Sequence, residues 1–374
     1  MNEVLVPDRP EGLVLEGQAD AVRRAYERFE AIPVDCDLMD EAALVTERPQ
    51  YTIAHEVSAT GPGTFLGKAQ RRVTFKPIDQ PGWWFNRADH GEYLPVGVSV
   101  LNVWTTGGVV SNIVLRSGPP SNYIRMVEHI VALRLGFDID NLLIEMDSGD
   151  PPLFERGSME LVEALEQAGK RVVPGAVDYV TVKETVTVGG PNGSFLTLVP
   201  AVPGRPMLTV DCAVDFKTAI GCQRIRFPLN NKNFRHGASA RTNSSAGKKL
   251  YCQTIGKLFA DIRNLGYSDK NVLIAGRRRY LNAPALLHAG KSLEAVWHRA
   301  VLDLFAALAL IDRGRFVGHV ISYKAGHTLD VNMIRMLYQL DLLEPVSIVG
   351  SRPLPAFDSS AATYSHSREQ LAAR

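Results

Sequence analysis

Residues 122–147, "NYIRMVEHIVALRLGFDIDNLLIEMD", place an acid and a histidine side by side within an apolar pattern. From Ile124 to Leu135, apolar residues recur at helical spacing on two sides, which predicts a helix that is largely buried. Glu128 and His129 lie inside this run, where an unpaired carboxylate would be costly. The pair is therefore satisfied either by structural hydrogen bonds or by a metal site.

The length and composition indicate a soluble protein of two domains. A chain of 374 residues exceeds one ordinary core, and 45% of its residues are hydrophobic. The formal net charge of +1 gives no bulk attraction to nucleic acid or to an anionic membrane. We find no transmembrane pattern and no signal-peptide layout, and so expect a cytoplasmic protein. The four cysteines, Cys36, Cys212, Cys222 and Cys252, show no metal spacing and are predicted to be buried and reduced.

Changes in sequence texture divide the chain into four parts. We predict an N-terminal extension (1–50), two α+β domains (51–177 and 178–353) and a polar C-terminal tail (354–374). The extension contains one amphipathic helix over residues 19–32. Both domains open with strands that lead to helices, and short motifs repeat between them. Thr52, Val57, Gly61 and Pro62 recur at the same offsets as Thr181, Val186, Gly190 and Pro191. The repeat predicts a duplicated α+β fold.

Two further histidines lie where a side chain can meet a ligand. His298 lies in an apolar helix, five residues before Asp303, and His327 follows Gly326 at a strand-to-helix turn. Two histidines and a carboxylate would fill three positions of a catalytic zinc site and leave the fourth for water. A nearby carboxylate such as Glu128 can take a proton from that water. A single histidine in an apolar helix is, however, more often an ordinary core residue, so the spacing alone does not decide for a metal site.

The other six histidines, by contrast, lack a partner at metal-ligand spacing, and we predict surface or turn positions for them. They are His55, His90, His236, His288, His319 and His366. The glycine-rich "GPGTFLG" at 61–67 lacks the Lys-Ser/Thr end of a phosphate loop and is predicted to be a hairpin turn. "RRR" at 277–279 is predicted to be a solvated loop.

Several ordered segments together resemble the zinc-dependent UDP-3-O-acyl-N-acetylglucosamine deacetylases of lipid A biosynthesis. "MVEHIVALRLGFDIDN" resembles the family's Thr-Val-Glu-His helix and its Gly-Ile-Asp-Asn continuation. "WWFNRAD" precedes it, and "SARTN", "AVWHRAVLD" and "YKAGHTLD" follow in the family's order. The similarity covers roughly residues 51–350. It implies two similar α+β domains packed face to face, with the active site and its metal between them.

The resemblance also assigns roles to single residues. It makes Glu128 the general base, His327 the general acid, and Thr242 the residue that stabilises the oxyanion. His129, His298 and Asp303 would bind zinc, or ferrous iron, which suits the same ligands. The substrate contacts would be Lys324, Arg299 and Arg241. The implied reaction removes the N-acetyl group of a nucleotide-linked amino sugar, and the metal, Thr242 and His327 would surround the charge that develops on the carbonyl oxygen.

The sequence departs from the family at the second ligand. The family helix reads His-Lys-x-Leu-Asp, with the ligands four apart, whereas this chain reads "HRAVLD", with Arg299 in place of the lysine and the ligands five apart. Residues five apart point about 140° away from each other on a regular helix. We therefore predict a π-bulge between His298 and Asp303. The alternative is a straight helix in which Leu302 takes the ligand position.

Other departures affect the acid and the substrate. A family aspartate that partners the catalytic histidine falls on Ala307, and the family histidine of the first turn is Phe65. A polar "NSSAGKK" replaces the apolar start of the segment that lines the acyl-chain passage. Two other hypotheses follow: a divergent homologue acts on another N-acetylated substrate, or a non-catalytic homologue serves in binding or regulation.

Overall fold

The structure is a computed structural model that describes residues 10–42, 44–63, 69–107, 111–245, 268 and 270–348. Helices and β-sheets occur together through these residues, so the fold is α+β, as predicted. In this part of the chain, no helix is long and apolar enough to cross a membrane. Cys252, Phe65, His366 and the tail from 354 lie outside the described residues.

Besides the 3-10 turns Met39–Glu41, Val100–Asn102 and Pro191–Gly193, the described residues form eight short α-helices and one π-helix. They are α1 Ala19–Glu30, α2 Glu128–Val131, α3 Leu133–Gly136, α4 Met159–Ala168, α5 Asn231–Ala238, α6 Glu294–His298, the π-helix Arg299–Leu304, α7 Phe305–Leu308 and α8 His327–Gln339.

The strands of the first half of the chain are β1 Leu13–Glu16, β2 Cys36–Asp37, β3 Pro49–Ile53, β4 Val57–Pro62, β5 Gln70–Lys76, β6 Gly82–Arg87, β7 Val96–Gly97, β8 Val103–Thr105, β9 Val114–Arg116, β10 Tyr123–Arg125, β11 Asn141–Met146 and β12 Lys170–Ala176. Those of the second half are β13 Tyr179–Val182, β14 Val186–Gly189, β15 Phe195–Val199, β16 Leu208–Asp215, β17 Cys222–Pro228, β18 Thr242–Ser245, β19 Val272–Ala275, β20 Leu287–His288, β21 Lys291–Ser292, β22 Arg315–Phe316, β23 Gly318–Tyr323 and β24 Leu343–Pro345.

The two halves repeat one strand topology. The first sheet has the order β4-β5-β11-β6-β7, and the second contains β14-β15-β23-β16-β17. In both, the successive pairs are antiparallel, antiparallel, parallel and antiparallel. In each half, the strand that precedes the sheet in sequence also pairs with the last strand of that half. These pairs are β3 with β12 and β13 with β24. This recurrence agrees with a duplication, whereas the predicted domain boundaries stay a prediction.

The N-terminal extension packs on the second sheet. Strand β1 pairs with β14 at one edge, and β2 pairs with β17 at the other. Helix α1, which lies between these two strands in the sequence, buries an apolar stripe of Val22, Tyr26 and Phe29 against Phe195 and its neighbours. Because both faces of this sheet are covered, β16 is buried along almost its whole length.

Most predicted elements are confirmed, including the helix within 19–32 and the loop at 277–279. The hairpin turn predicted at 61–67 lies mostly outside the described residues, and the flanking strands β4 and β5 pair antiparallel. The helix predicted from Ile124 is wrong at its start. Residues 123–125 form β10, and Met126 adopts a left-handed φ of 52°. Because this conformation cannot continue a right-handed helix, α2 begins only at Glu128.

Two predictions about side-chain environment are also wrong. Cys222 is exposed rather than buried, because it is the first residue of β17. His319 lies within β23 rather than on the surface or in a turn, and its Nδ1 is 2.8 Å from Oγ1 of Thr209. Burial lowers the pKa of His319.

Candidate active site

The Glu-His pair enters the site at the first turn of α2. Glu128 is 4% exposed, and its Oε2 accepts a hydrogen bond from the Ile113 amide at 3.1 Å. Nδ1 of His129 lies 3.1 Å from Oγ of Ser158. This contact leaves Nε2 of His129 directed towards the second half of the chain.

The predicted irregularity after His298 is confirmed. Residues Arg299–Leu304 form a π-helix between α6 and α7, and the wide turn accommodates one extra residue. As a result, Asp303 is on the same side as His298, with its Oδ1 3.5 Å from Nδ1 of the histidine. The straight-helix alternative, with Leu302 in the ligand position, is wrong, and Leu302 is fully buried in the core.

Three side chains from distant parts of the sequence meet at one point. Nε2 of His298 is 3.3 Å from Nε2 of His129 and 3.0 Å from Oγ1 of Thr242. The same hydroxyl is 3.4 Å from Nε2 of His129. Thr242 is the first residue of β18, which pairs with β19 in the second half.

His327 completes a cluster with these three side chains and the carboxylates of Asp303 and Glu128. Its Nε2 is 3.5 Å from Oδ1 of Asp303 and 4.0 Å from Oε1 of Glu128. The residue is the first of α8 and is 6% exposed. The two residues that the sequence suggests as base and acid therefore lie next to each other, although they are far apart along the chain.

Burial and charge set the protonation states. Burial raises the pKa of Glu128, and the charge of His327 opposes this rise. Burial, followed by the charge of His298, lowers the pKa of His129 to about 3, so this imidazole is neutral near pH 7. Although burial works against ionisation of Asp303, His298 and His327 hold its pKa below the ordinary value. The cluster thus contains a neutral imidazole beside an ionised carboxylate.

Two of the three predicted metal ligands have a separation that suits a metal ion. Two nitrogens bound to one tetrahedral zinc at about 2.0–2.1 Å lie about 3.3–3.4 Å apart, and the Nε2 atoms of His129 and His298 are 3.3 Å apart. Asp303 lies beside Nδ1 of His298 rather than beside this nitrogen pair. Within the described residues, no group of three His, Cys, Asp or Glu side chains is arranged to hold a metal. The donor types fit zinc, and Asp303 as the third ligand stays a prediction.

Arg241, predicted to contact substrate, is bound to Glu294. Its Nε and Nη2 donate to the two carboxylate oxygens at 2.7 and 3.0 Å, and its Nη2 also donates to the Ala283 carbonyl. Glu294 is completely buried and lies one turn before His298. The geometry therefore favours a role for Arg241 in holding its neighbour Thr242 against the His298 helix.

The other two predicted substrate contacts differ in accessibility. Arg299 is 5% exposed, and its Nη2 donates to Asp330 at 2.6 Å and to Ser322 at 3.2 Å. Lys324 is more accessible, with its Nζ 3.7 Å from the carboxylate of Asp215. Lys324 also has a left-handed φ of 52°. This conformation is strained for any residue other than glycine, and it occurs often at functional sites.

Sequence reasoning missed Ser158, Glu294 and Asp330. Glu294 and Asp330 carry a detectable signal, because each is an acid within an apolar helix beside an assigned residue. Their partners are 53 and 31 residues away in sequence, so the pairing itself is visible only in the structure. Ser158 carries no comparable signal.

The comparisons with known proteins agree with this geometry. A family model described as UDP-3-O-acyl N-acetylglycosamine deacetylase matches residues 50–339. The chain belongs to this family. A UDP-3-O-acyl-N-acetylglucosamine deacetylase of Trichormus variabilis is 28% identical over 301 residues, covering 78% of this chain and 99% of the relative. Proteins with the same name from Syntrophus aciditrophicus and Aliarcobacter butzleri are 28% and 24% identical, covering 86% and 90% of those relatives. The residues before 50 lie outside the family match.

Proposed function

We propose that this protein is a metal-dependent deacetylase that hydrolyses the N-acetyl amide of UDP-3-O-acyl-N-acetylglucosamine. The main support is the meeting of Nε2 of His129 and His298 at 3.3 Å, with Glu128 and His327 beside them. The names of the curated relatives support the same substrate. The π-helix favours a working site over a non-catalytic homologue, because it brings Asp303 to the His298 side.

The metal would be held by His129, His298 and Asp303. When bound, zinc or ferrous iron polarises the amide carbonyl and lowers the pKa of a bound water. Glu128 would accept the proton of the attacking water, because it is the buried carboxylate near the cluster that is not assigned as a ligand. Thr242 would donate a hydrogen bond to the oxyanion, and His327 would deliver a proton to the leaving amine.

We further infer that the two halves pack face to face with the site between them. Glu128 and His129 come from the first half, and the other assigned side chains come from the second. Arg134 in α3 supports this arrangement, because its Nη1 donates to the carbonyls of Ala309 and Ile311. Both carbonyls follow α7, which continues the helical segment that carries His298. This contact fixes α2 and α3 against the helix that carries His298.

The direct test is a deacetylation assay on purified protein. The acylated UDP-sugar is incubated beside plain UDP-N-acetylglucosamine, and free amine is measured by mass spectrometry together with metal content. We expect turnover of the acylated substrate and about one metal ion per chain, in accordance with a single site of three ligands. Turnover of plain UDP-N-acetylglucosamine alone would instead indicate the divergent homologue. Metal-loaded protein with no turnover of either compound would refute the proposal.

A further inference from the structure

Several buried polar atoms next to His327 have no hydrogen-bond partner among the described residues. They are Nδ1 of His327, Oδ2 of Asp330, and Nε and Nη1 of Arg299. Asp330 is completely buried, and the other two residues are 5–6% exposed. Because buried polar atoms are normally paired, unpartnered atoms on three neighbouring residues indicate a partner enclosed between these residues.

The three residues that carry these atoms are neighbours. Nη2 of Arg299 donates to Oδ1 of Asp330 at 2.6 Å, so the remaining guanidinium nitrogens are close to this carboxylate. Asp330 follows His327 by one turn of α8, which puts the two side chains on the same face of the helix. Nε2 of His327 faces Asp303 and Glu128. Nδ1 is therefore the ring nitrogen turned away from these two carboxylates.

The four atoms also have complementary chemistry. Oδ2 of Asp330 accepts a hydrogen bond, and Nε and Nη1 of Arg299 donate. Nδ1 of His327 donates when it carries a proton. A water enclosed here would accept from Arg299 and from Nδ1–H of His327 and donate to Asp330, which are the three or so bonds typical of a buried water.

We propose that Asp330, held by Arg299, is a positioning residue that orients His327 through such an enclosed water. The inference rests on the proposed function, in which His327 gives a proton to the leaving amine. A ring fixed at Nδ1 keeps Nε2 directed at the reacting atoms, and the nearby carboxylate stabilises the protonated ring.

A second buried ion pair of the same kind provides the control. Arg224 donates to both carboxylate oxygens of Asp211 at 2.9 and 2.8 Å, and these residues are 6% and 5% exposed. This pair contacts α1 through the Phe29 carbonyl, on the face of the second sheet that the extension covers. Asp211→Asn should therefore cost stability as Asp330→Asn does, without affecting His327.

The experiment compares Asp330→Asn with Asp211→Asn. We expect Asp330→Asn to lower kcat about 10- to 100-fold, the usual effect of losing an outer-shell partner, with KM and metal content unchanged. Asp211→Asn should leave kcat unchanged. In a His327→Ala background, Asp330→Asn should lower kcat no further, because its effect passes through His327. Equal kcat losses in the two asparagine variants would assign Asp330 a structural role and overturn the proposal.

A second readout does not depend on activity. The Nδ1 signal of His327, recorded by ¹⁵N NMR and assigned by its loss in His327→Ala, should shift in Asp330→Asn and stay unchanged in Asp211→Asn. If the wild-type protein deacetylates nothing, the proposed function fails while this signal still tests the contact. Should Asp330→Asn not fold, Arg299→Lys keeps the charge of the pair but removes the two unpartnered donors, and it should shift the same signal. An unchanged signal overturns the inference.

Discussion

The buried pair of Glu294 and Arg241 gives the sharpest test of how the site is held together. Oε1 of Glu294 accepts from the backbone N and from Nε of Arg241 at 3.1 and 2.7 Å. Oε2 accepts from Nη2 of Arg241 and from the Ala285 amide at 3.0 and 2.7 Å. In Glu294→Gln, either orientation of the new amide turns its NH₂ group against two N–H donors.

This clash sets the expected loss in the free energy of unfolding. The variant leaves a guanidinium without its counter-charge beside a position that is 0% exposed, and breaking such a pair costs about 3–5 kcal/mol. The free energy of unfolding is measured by urea titration. The matched control is Glu166→Gln, which breaks an ion pair with Arg235 whose side chains are both 45% exposed. Exposed pairs contribute at most about 1 kcal/mol.

Glu294→Gln should also lower the catalytic rate, because it displaces Thr242. Arg241 precedes Thr242, and Glu294 lies one turn before His298, so the pair holds the Thr242 hydroxyl 3.0 Å from Nε2 of His298. We expect Glu294→Gln to lower kcat by up to about 100-fold, comparable to the loss of one oxyanion donor. If Glu294→Gln destabilises the protein no more than Glu166→Gln and keeps full kcat, the reasoning is refuted.

Three further predictions follow from the described contacts. Glu128→Gln should keep its metal and lose turnover at least about 100-fold, whereas His129→Ala should lose metal in mass-spectrometric metal analysis; normal metal and activity in both would make the pair structural. Phe29→Ala should destabilise the protein by about 3–5 kcal/mol, because its ring is 1% exposed; a thermal midpoint equal to that of wild type would show that α1 contributes little. Cys222 should react with a thiol reagent in the native protein, whereas Cys212 should react only after unfolding, because Cys212 is buried and burial raises its pKa to about 12. Peptide mapping identifies the modified thiol, and labelling of Cys212 in the native protein would contradict its burial.

The sequence predicts the elements better than their ends. The apolar spacing around Glu128 correctly predicts burial, but it places the helix start four residues early. The reason is that Met126 takes a left-handed conformation that no apolar pattern reveals. The His298–Asp303 spacing, in contrast, predicts the π-helix once the resemblance assigns both residues to one metal, because two residues five apart on a regular helix cannot face one point.

The partners of the site residues could not be predicted in the same way. The bonds of Glu294 to Arg241 and of Asp330 to Arg299 join separate elements, so they depend on how sheets and helices pack. The burial of Arg299 was equally invisible in the sequence. The resemblance makes it a substrate contact, whereas in the structure its guanidinium is buried against Asp330.

The repeated topology explains how one site draws on both halves of the chain. In each half, a helical segment leads to the strand that pairs in parallel with an earlier one, β11 with β6 and β23 with β16. The first such segment begins with Glu128 and His129, and the second contains His298 and the π-helix. Equivalent segments of the two halves therefore supply the paired imidazoles. The extra residue between His298 and Asp303 is accommodated in the π-helix, so it can persist without turning Asp303 away from His298.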